Sequence, residues 1–199
     1  TYDDIRKQAM VRRGLVGKMV VDEGTGISYP IYEVPDKPLV SIVIPSKDNP
    51  KVLQQCIRSI YMHTDYPNFE LIVIDNGSTE EVRATLENFR VECPFRYLYL
   101  PMDYNFSRMC NLGVKETKGT YILLLNDDME VIEDSWLTRM VGQASLQHVG
   151  AVGAKLLYPN STKIQHVGIT NTISGPGHKL KLLDDNLSYY YGRNRFVYD

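Results

Sequence analysis

Two hydrophobic periods alternate along this 199-residue chain from Leu39 onward. The run LVSIVIP at 39–45 is short, β-branched and closed by Pro45, which predicts a strand. Leu53, Cys56, Ile57, Ile60 and Tyr61 then recur at the spacing of a helix with one buried face. ELIVID predicts a second strand. Ser78 with Glu81 has the form of a capping box, and Val82, Leu86 and Phe89 continue at helical spacing. FRYLYL predicts a third strand. Phe106, Met109, Cys110 and Gly113 mark a third helix, with Lys118 in its last turn and Gly119 as its stop. YILLL predicts a fourth strand, buried because it is apolar throughout, and Leu137, Met140, Val141 and Ala144 a fourth helix beginning near Asp134. VGAVGAKLLY and KIQHVGI predict further strands. Strand and helix in alternation predict an α/β fold, with a mostly parallel central sheet, helices on both faces and right-handed crossovers.

The first residues read differently. A short helix is predicted over Asp3–Gly14, followed by a turn-rich stretch holding Gly24, Gly26, Pro30, Pro35 and Pro38. The expected organisation is an extension over 1–37 and one domain over 38–199. Arg6, Lys7, Arg12, Arg13 and Lys18 in the extension read as a solvated face.

Composition narrows the function classes. A chain 43% hydrophobic and 23% charged is that of an ordinary globular protein. A net charge of −2 gives no bulk attraction for nucleic acid or an anionic membrane, and nucleic acid is not an expected partner. Cys56, Cys93 and Cys110 lack CxxC spacing and read as buried free thiols of a reducing compartment. The expected location is the cytoplasm, at the inner face of a membrane if a longer parent protein meets one. No apolar run reaches bilayer-spanning length. The sequence assigns no oligomeric state.

The polar residues fall at strand ends. The first strand runs into Ser46, Lys47, Asp48 and Asn49; the second into Asp75, Asn76, Gly77 and Ser78; the fourth into Asn126, Asp127 and Asp128. In an open parallel sheet those ends share one edge, where such folds bind ligands. Adjacent carboxylates there attract a hard divalent cation, which completes its shell with water and phosphate oxygens. A single carboxylate such as Asp75 suits hydrogen bonds from a base N–H or ribose hydroxyls. One Asp after a strand is most often a turn residue or a helix cap. Three such sites on one edge favour function. GxGxxG, GxxxxGK[ST] and GxSxG are all absent, which excludes a dinucleotide fold, a P-loop and a serine-hydrolase elbow.

PLVSIVIPSKDNPKVLQQCIRSI, FELIVIDNGSTEE, NFSRMCNLGVKETKGTYILLLNDDMEV and VGAVGAKLLYPNSTKIQHVGI resemble family 2 glycosyltransferases over about residues 38–178. The likeness is to bacterial enzymes that build O-antigen, rhamnan or capsular polysaccharide of the cell envelope. It implies a GT-A fold, an inverting mechanism, a UDP-, dTDP- or GDP-linked sugar donor, a saccharide or lipid-linked acceptor, and Mn2+ or Mg2+. Pro45 and Ser46 match the loop that lies along the nucleotide, and Asp48 a polar position in that loop. Asp75 matches the carboxylate that contacts the base, and Asn76 stands where many relatives carry a second Asp. Asn126-Asp127-Asp128 matches the DxD-type motif. Its first position is Asn, so the resemblance gives the metal mainly to Asp128, with Asp127 sharing it and facing the donor sugar or ribose. Asn105, Ser107, Arg108 and Asn111 fall in a helix that flanks the donor. Arg108 is a candidate for the diphosphate, with an ordinary exposed helix arginine as the equal alternative. His166 and His178 match positions in polysaccharide-type relatives, although a histidine beside a strand is more often a hydrogen-bonded structural residue.

Inverting transfer needs a base for the acceptor proton. In relatives this is an Asp or Glu of an acidic motif downstream of the matched region. The chain stops at YYYGRNRFVYD, and Asp184-Asp185 does not match that motif. The expectation is a donor-binding part, with the general base beyond residue 199 and no transfer by this fragment alone. The second reading is a non-catalytic nucleotide-sugar or carbohydrate-binding module of the same fold. A metal-dependent phosphatase would want a nucleophilic Asp in a DxD pattern after the first strand, which IPSKDN lacks.

Overall fold

The structure is a computed structural model that describes residues 2–21, 28–173 and 175–185. Its elements are α1 (Tyr2–Arg12), β1 (Gly17–Val21), β2 (Ser28–Tyr32), β3 (Val40–Ser46), α2 (Pro50–Met62), β4 (Phe69–Asp75), α3 (Glu80–Phe89), β5 (Arg96–Tyr99), α4 (Phe106–Lys115), β6 (Tyr121–Leu124), α5 (Trp136–Ala144), β7 (Leu156–Leu157), β8 (Ile164–His166), β9 (Ile169–Thr172) and β10 (Gly175–His178). The chain forms two compact units, Val34–Thr138 and Thr1–Glu33 with Arg139–Asp199. Gly24 and Gly26 of the turn-rich stretch, and the tail YYYGRNRFVYD, lie outside the described residues.

In the Val34–Thr138 unit, four parallel strands form a sheet in the order β5-β4-β3-β6. Strands β3 and β4 sit in its middle, which is why they read as continuous apolar runs: a strand buried on both faces has no polar side to alternate with. Val43, Ile72 and Ile74 on one face pack with Met109 of α4 and with Leu98, Leu100 and Met102. On the other face Ile42, Ile44, Leu71 and Val73 are also buried. Helices α2 and α3 pack against each other and bury Leu53, Ile57, Ile60, Leu86 and Phe89. Gly113 lets α4 lie flush on the sheet, since a Cβ there would fall 2.4 Å from Val43 Cγ1 and 2.9 Å from Ile74 Cγ1.

Four expectations need correction. Strand β6 is not buried throughout: among the described residues it is an edge strand paired only with β3, and Ile122 and Leu124 are 45% and 51% exposed. Helix α4 ends at Lys115, three residues before Lys118. Gly119 is not its stop but a close-approach residue. Its N–H donates to Ser41 Oγ at 2.8 Å, and a Cβ would fall 2.7 Å from the Leu39 carbonyl oxygen. The cap of α3 is Thr79, whose hydroxyl accepts the Val82 N–H, because Ser78 Oγ is taken by the Asp48 N–H. In the stretch 149–158 only Leu156–Leu157 is strand; Gly150, Ala151, Gly153 and Ala154 offer little side chain for a strand to bury.

In the other unit, β1 and β2 form an antiparallel pair within the stretch read as turns. Strands β7 and β8, and β9 and β10, form two further antiparallel pairs. Among the described residues no helix is long and apolar enough to cross a membrane.

Candidate nucleotide-sugar site

Parallel pairing places Ser46 directly opposite Asp75 at the C-terminal ends of β3 and β4. The ladder with β6 continues through Leu125, whose N–H donates to the Val43 carbonyl at 3.0 Å, so Asn126-Asp127-Asp128 leaves the sheet at the same edge. Residues 29 to 81 positions apart thereby converge.

Ser46 is buried, and its hydroxyl donates to Asp127 Oδ2 at 2.6 Å. Burial pushes the Asp127 carboxyl pKa up; the Ser46 hydrogen bond opposes this, and the neighbouring Asp128 charge adds to it. Both effects that raise it are those a cation would relieve. Asp128 is exposed. Among the described residues no three His, Cys, Asp or Glu side chains gather to hold a metal ion, so the chain offers a pair of carboxylates and no closed cage. That donor set, oxygen only and open, fits Mg2+ or Mn2+, which keep several water or phosphate ligands. It does not fit a structural zinc site.

Asp75 is only 1% exposed, and both its carboxylate oxygens are engaged. Oδ1 accepts the Ser78 N–H at 2.8 Å, and Oδ2 accepts the Tyr97 hydroxyl. Its carbonyl accepts the Leu100 N–H at 2.8 Å. Asn76 donates its backbone N–H to the Ser46 carbonyl, while its buried side-chain amide has no hydrogen-bond partner among the described residues. A buried amide in that state lacks the compensation that buried polar groups normally find. Asp48, exposed and in the left-handed region at φ 52°, clasps the next loop: its N–H donates to Ser78 Oγ at 2.8 Å and its Oδ1 accepts the Thr79 N–H at 3.0 Å. Asp and Asn tolerate that backbone conformation better than most residues.

Pro45 closes the apolar run of β3 beside Ser46 and is buried. Arg108 is exposed in the first turn of α4, where its backbone N–H is held by the Asn105 cap at 2.9 Å; it does not enter the network. Cys56 donates its thiol to the Asn126 carbonyl at 3.8 Å, and burial pushes its pKa up to about 12, so it stays a neutral thiol beneath the loop. In the other unit His166 and His178 satisfy each other, Nδ1 to Nδ1 at 2.9 Å with nearly perpendicular rings. Local pattern marks neither Tyr97 nor Thr79, and Ser78 holds the Asp48 N–H instead of capping α3. Nothing local marks Tyr97, which reads as one more aromatic of a half-buried strand.

A family model described as "Glycosyl transferase family 2" matches residues 41–197. The chain belongs to glycosyltransferase family 2. This family 2 chain is 40% identical over 169 residues to the O-antigen biosynthesis protein RfbC of Myxococcus xanthus, covering 83% of the chain and 13% of that protein. It is 42% identical over 157 residues to the uncharacterized protein y4gI of Sinorhizobium fredii, covering 75% of the chain and 17% of that protein. It thus spans only a small part of the length of either relative. Among solved structures it is similar to the mannosyltransferase PcManGT from Pyrobaculum calidifontis in complex with GDP-Man and Mn2+. The TM-score is 0.52 at 19% identity, over 57% of this chain and 34% of that one. The likeness is one of fold, and the fold is GT-A.

Proposed function

We propose that this family 2 domain binds a nucleoside-diphospho-sugar, UDP-, dTDP- or GDP-linked, at the shared edge of β3, β4 and β6. Its parent protein transfers that sugar, with inversion and with a divalent metal, to a saccharide or lipid-linked acceptor in surface-polysaccharide assembly. The observation that carries the reading is the convergence of Ser46, Asp75 and Asp127 on one sheet edge, knitted by the Ser46–Asp127 and Asn76–Ser46 hydrogen bonds. The name of the Myxococcus relative and the GDP-Man and Mn2+ of the mannosyltransferase complex support the reaction class.

In this reading Pro45 and Ser46 line the nucleotide, and Ser46 also fixes Asp127. Asp75 faces the nucleoside, and the unpartnered Asn76 amide is satisfied by a ligand or water. Asp128 and Asp127 hold Mn2+ or Mg2+, which when bound neutralises charge on the diphosphate leaving group. Asp48 acts through the loop it clasps. The role of general base is assigned to none of the described residues.

Calorimetric titration of UDP, dTDP and GDP into the chain, each with and without Mn2+, tests this. One of the three is expected to bind, and to bind more tightly with the metal. Absence of binding by all three would refute it. Binding by the chain with no sugar transfer by its full-length parent would favour a non-catalytic binding module.

A further inference from the structure

Asp75 does not stand free to meet a ligand. Its Oδ2 is held by a hydroxyl from the neighbouring strand. Tyr97 lies opposite Val73 in the β4–β5 ladder, one pleat before the Asp75–Tyr99 pair and on the same face, so its long side chain reaches the end of β4. The ring is fixed in turn. Phe95 meets it edge-on at 6.4 Å between centroids, and Phe89 packs on Phe95 at 6.1 Å. Burial, then the hydrogen bond to Asp75, raise the Tyr97 hydroxyl pKa, so the group stays a donor throughout the working range.

We infer that Tyr97 is a positioning residue for nucleoside recognition, holding the Asp75 carboxylate in one orientation against the Ser78 N–H. The inference rests on the proposed nucleotide-sugar site. A carboxylate has about four lone-pair positions, and Ser78 and Tyr97 occupy one on each oxygen. The positions left over point in fixed directions only while both donors are in place. They are what a base N–H or a ribose hydroxyl can use. Without the Tyr97 hydroxyl, Oδ2 is buried and unpaired, and the carboxylate turns to recover a partner. Tyr97 acts on the nucleoside, not on the diphosphate, which belongs to the Asp127-Asp128 side of the edge.

The test titrates UDP, dTDP and GDP into the full chain and into Tyr97→Phe, Asp75→Asn and the double variant. Mn2+-pyrophosphate serves as a probe without a nucleoside. Tyr97→Phe keeps the ring and its Phe95 contact. It is expected to weaken the best-bound nucleoside diphosphate about tenfold and to leave pyrophosphate binding within about twofold. In the Asp75→Asn background it is expected to add nothing, since a residue acting through another loses its effect with it. Equal losses for nucleotide and pyrophosphate, or the same loss in both backgrounds, would overturn the positioning role. Loss of the cooperative thermal transition in Tyr97→Phe would overturn it too, by making the hydroxyl a requirement of the fold. A wild-type chain that binds pyrophosphate but none of the three nucleotides would overturn the nucleotide reading itself, and the inference with it.

Discussion

Asp127 and Asp128 are neighbours in the chain but not in environment. Asp127 is partly buried and bound to Ser46, whereas Asp128 is exposed. Asp128→Ala is therefore expected to fold normally and to lose most of the metal-dependent part of nucleotide affinity, on the order of tenfold or more; titration with and without Mn2+ reads this directly. A second contrast separates Ser78 from Thr79. Thr79 caps α3 through a long 3.4 Å bond, so Thr79→Ala is expected to cost about 0.5 kcal/mol of stability in a denaturant melt. Ser78→Ala removes the acceptor of the Asp48 N–H instead, and is expected to weaken nucleotide binding more than it weakens the fold. The reverse ranking would restore Ser78 as the cap.

At the scale of elements, the contact of α4 with the sheet depends on the absence of one side chain. A Cβ on Gly113 would fall 2.4 Å from Val43 Cγ1 and 2.9 Å from Ile74 Cγ1, both fully buried branched residues. Gly113→Ala gains intrinsic helix propensity, worth up to about 1 kcal/mol. Overpacking opposes that gain, at roughly 1–3 kcal/mol. The net expectation is a lower midpoint in urea, and an unchanged or higher midpoint would show that α4 can lift from the sheet at little cost.

Across the whole molecule, the two units carry different chemistry. The Val34–Thr138 unit holds Asp48, Asp75, Asp127 and Asp128, the carboxylates of the proposed nucleotide edge. The other holds the His166–His178 pair, in which one ring donates and the other accepts. Burial, and then His178, lower the His166 pKa from the ordinary imidazole value of about 6.5. The sign follows: a proton binds His166 less readily in the folded chain than in the unfolded one. The stability this contributes is fully present above about pH 6.5 and is lost as pH falls through the lowered folded value. Thermal melts at neutral pH and in mild acid are expected to show a larger drop for wild type than for His166→Gln. Equal drops would place the acid sensitivity elsewhere.

Some of this was legible in the amino-acid order and some was not. Continuous apolar runs at β3 and β4 identify strands buried on both faces, and helical spacing identifies α2, α3 and α4, because these signals are local and repeat within each element. The carboxylates at strand ends are legible for the same reason: a parallel α/β topology sends all such ends to one edge. What local pattern cannot carry is partner choice. Ser78 and Thr79 are both good caps, and only the approach of Asp48, thirty residues away, decides between them. Gly119 looks like a helix stop until Ser41 is seen against it. The β1–β2 pair is hidden by Pro30, which reads as a turn unless a second strand is there to pair with. Tyr97 becomes part of the site only through the ladder that sets β5 beside β4, and the burial of Asp75 and Asn76 is likewise a property of the packed sheet edge, not of the residues themselves.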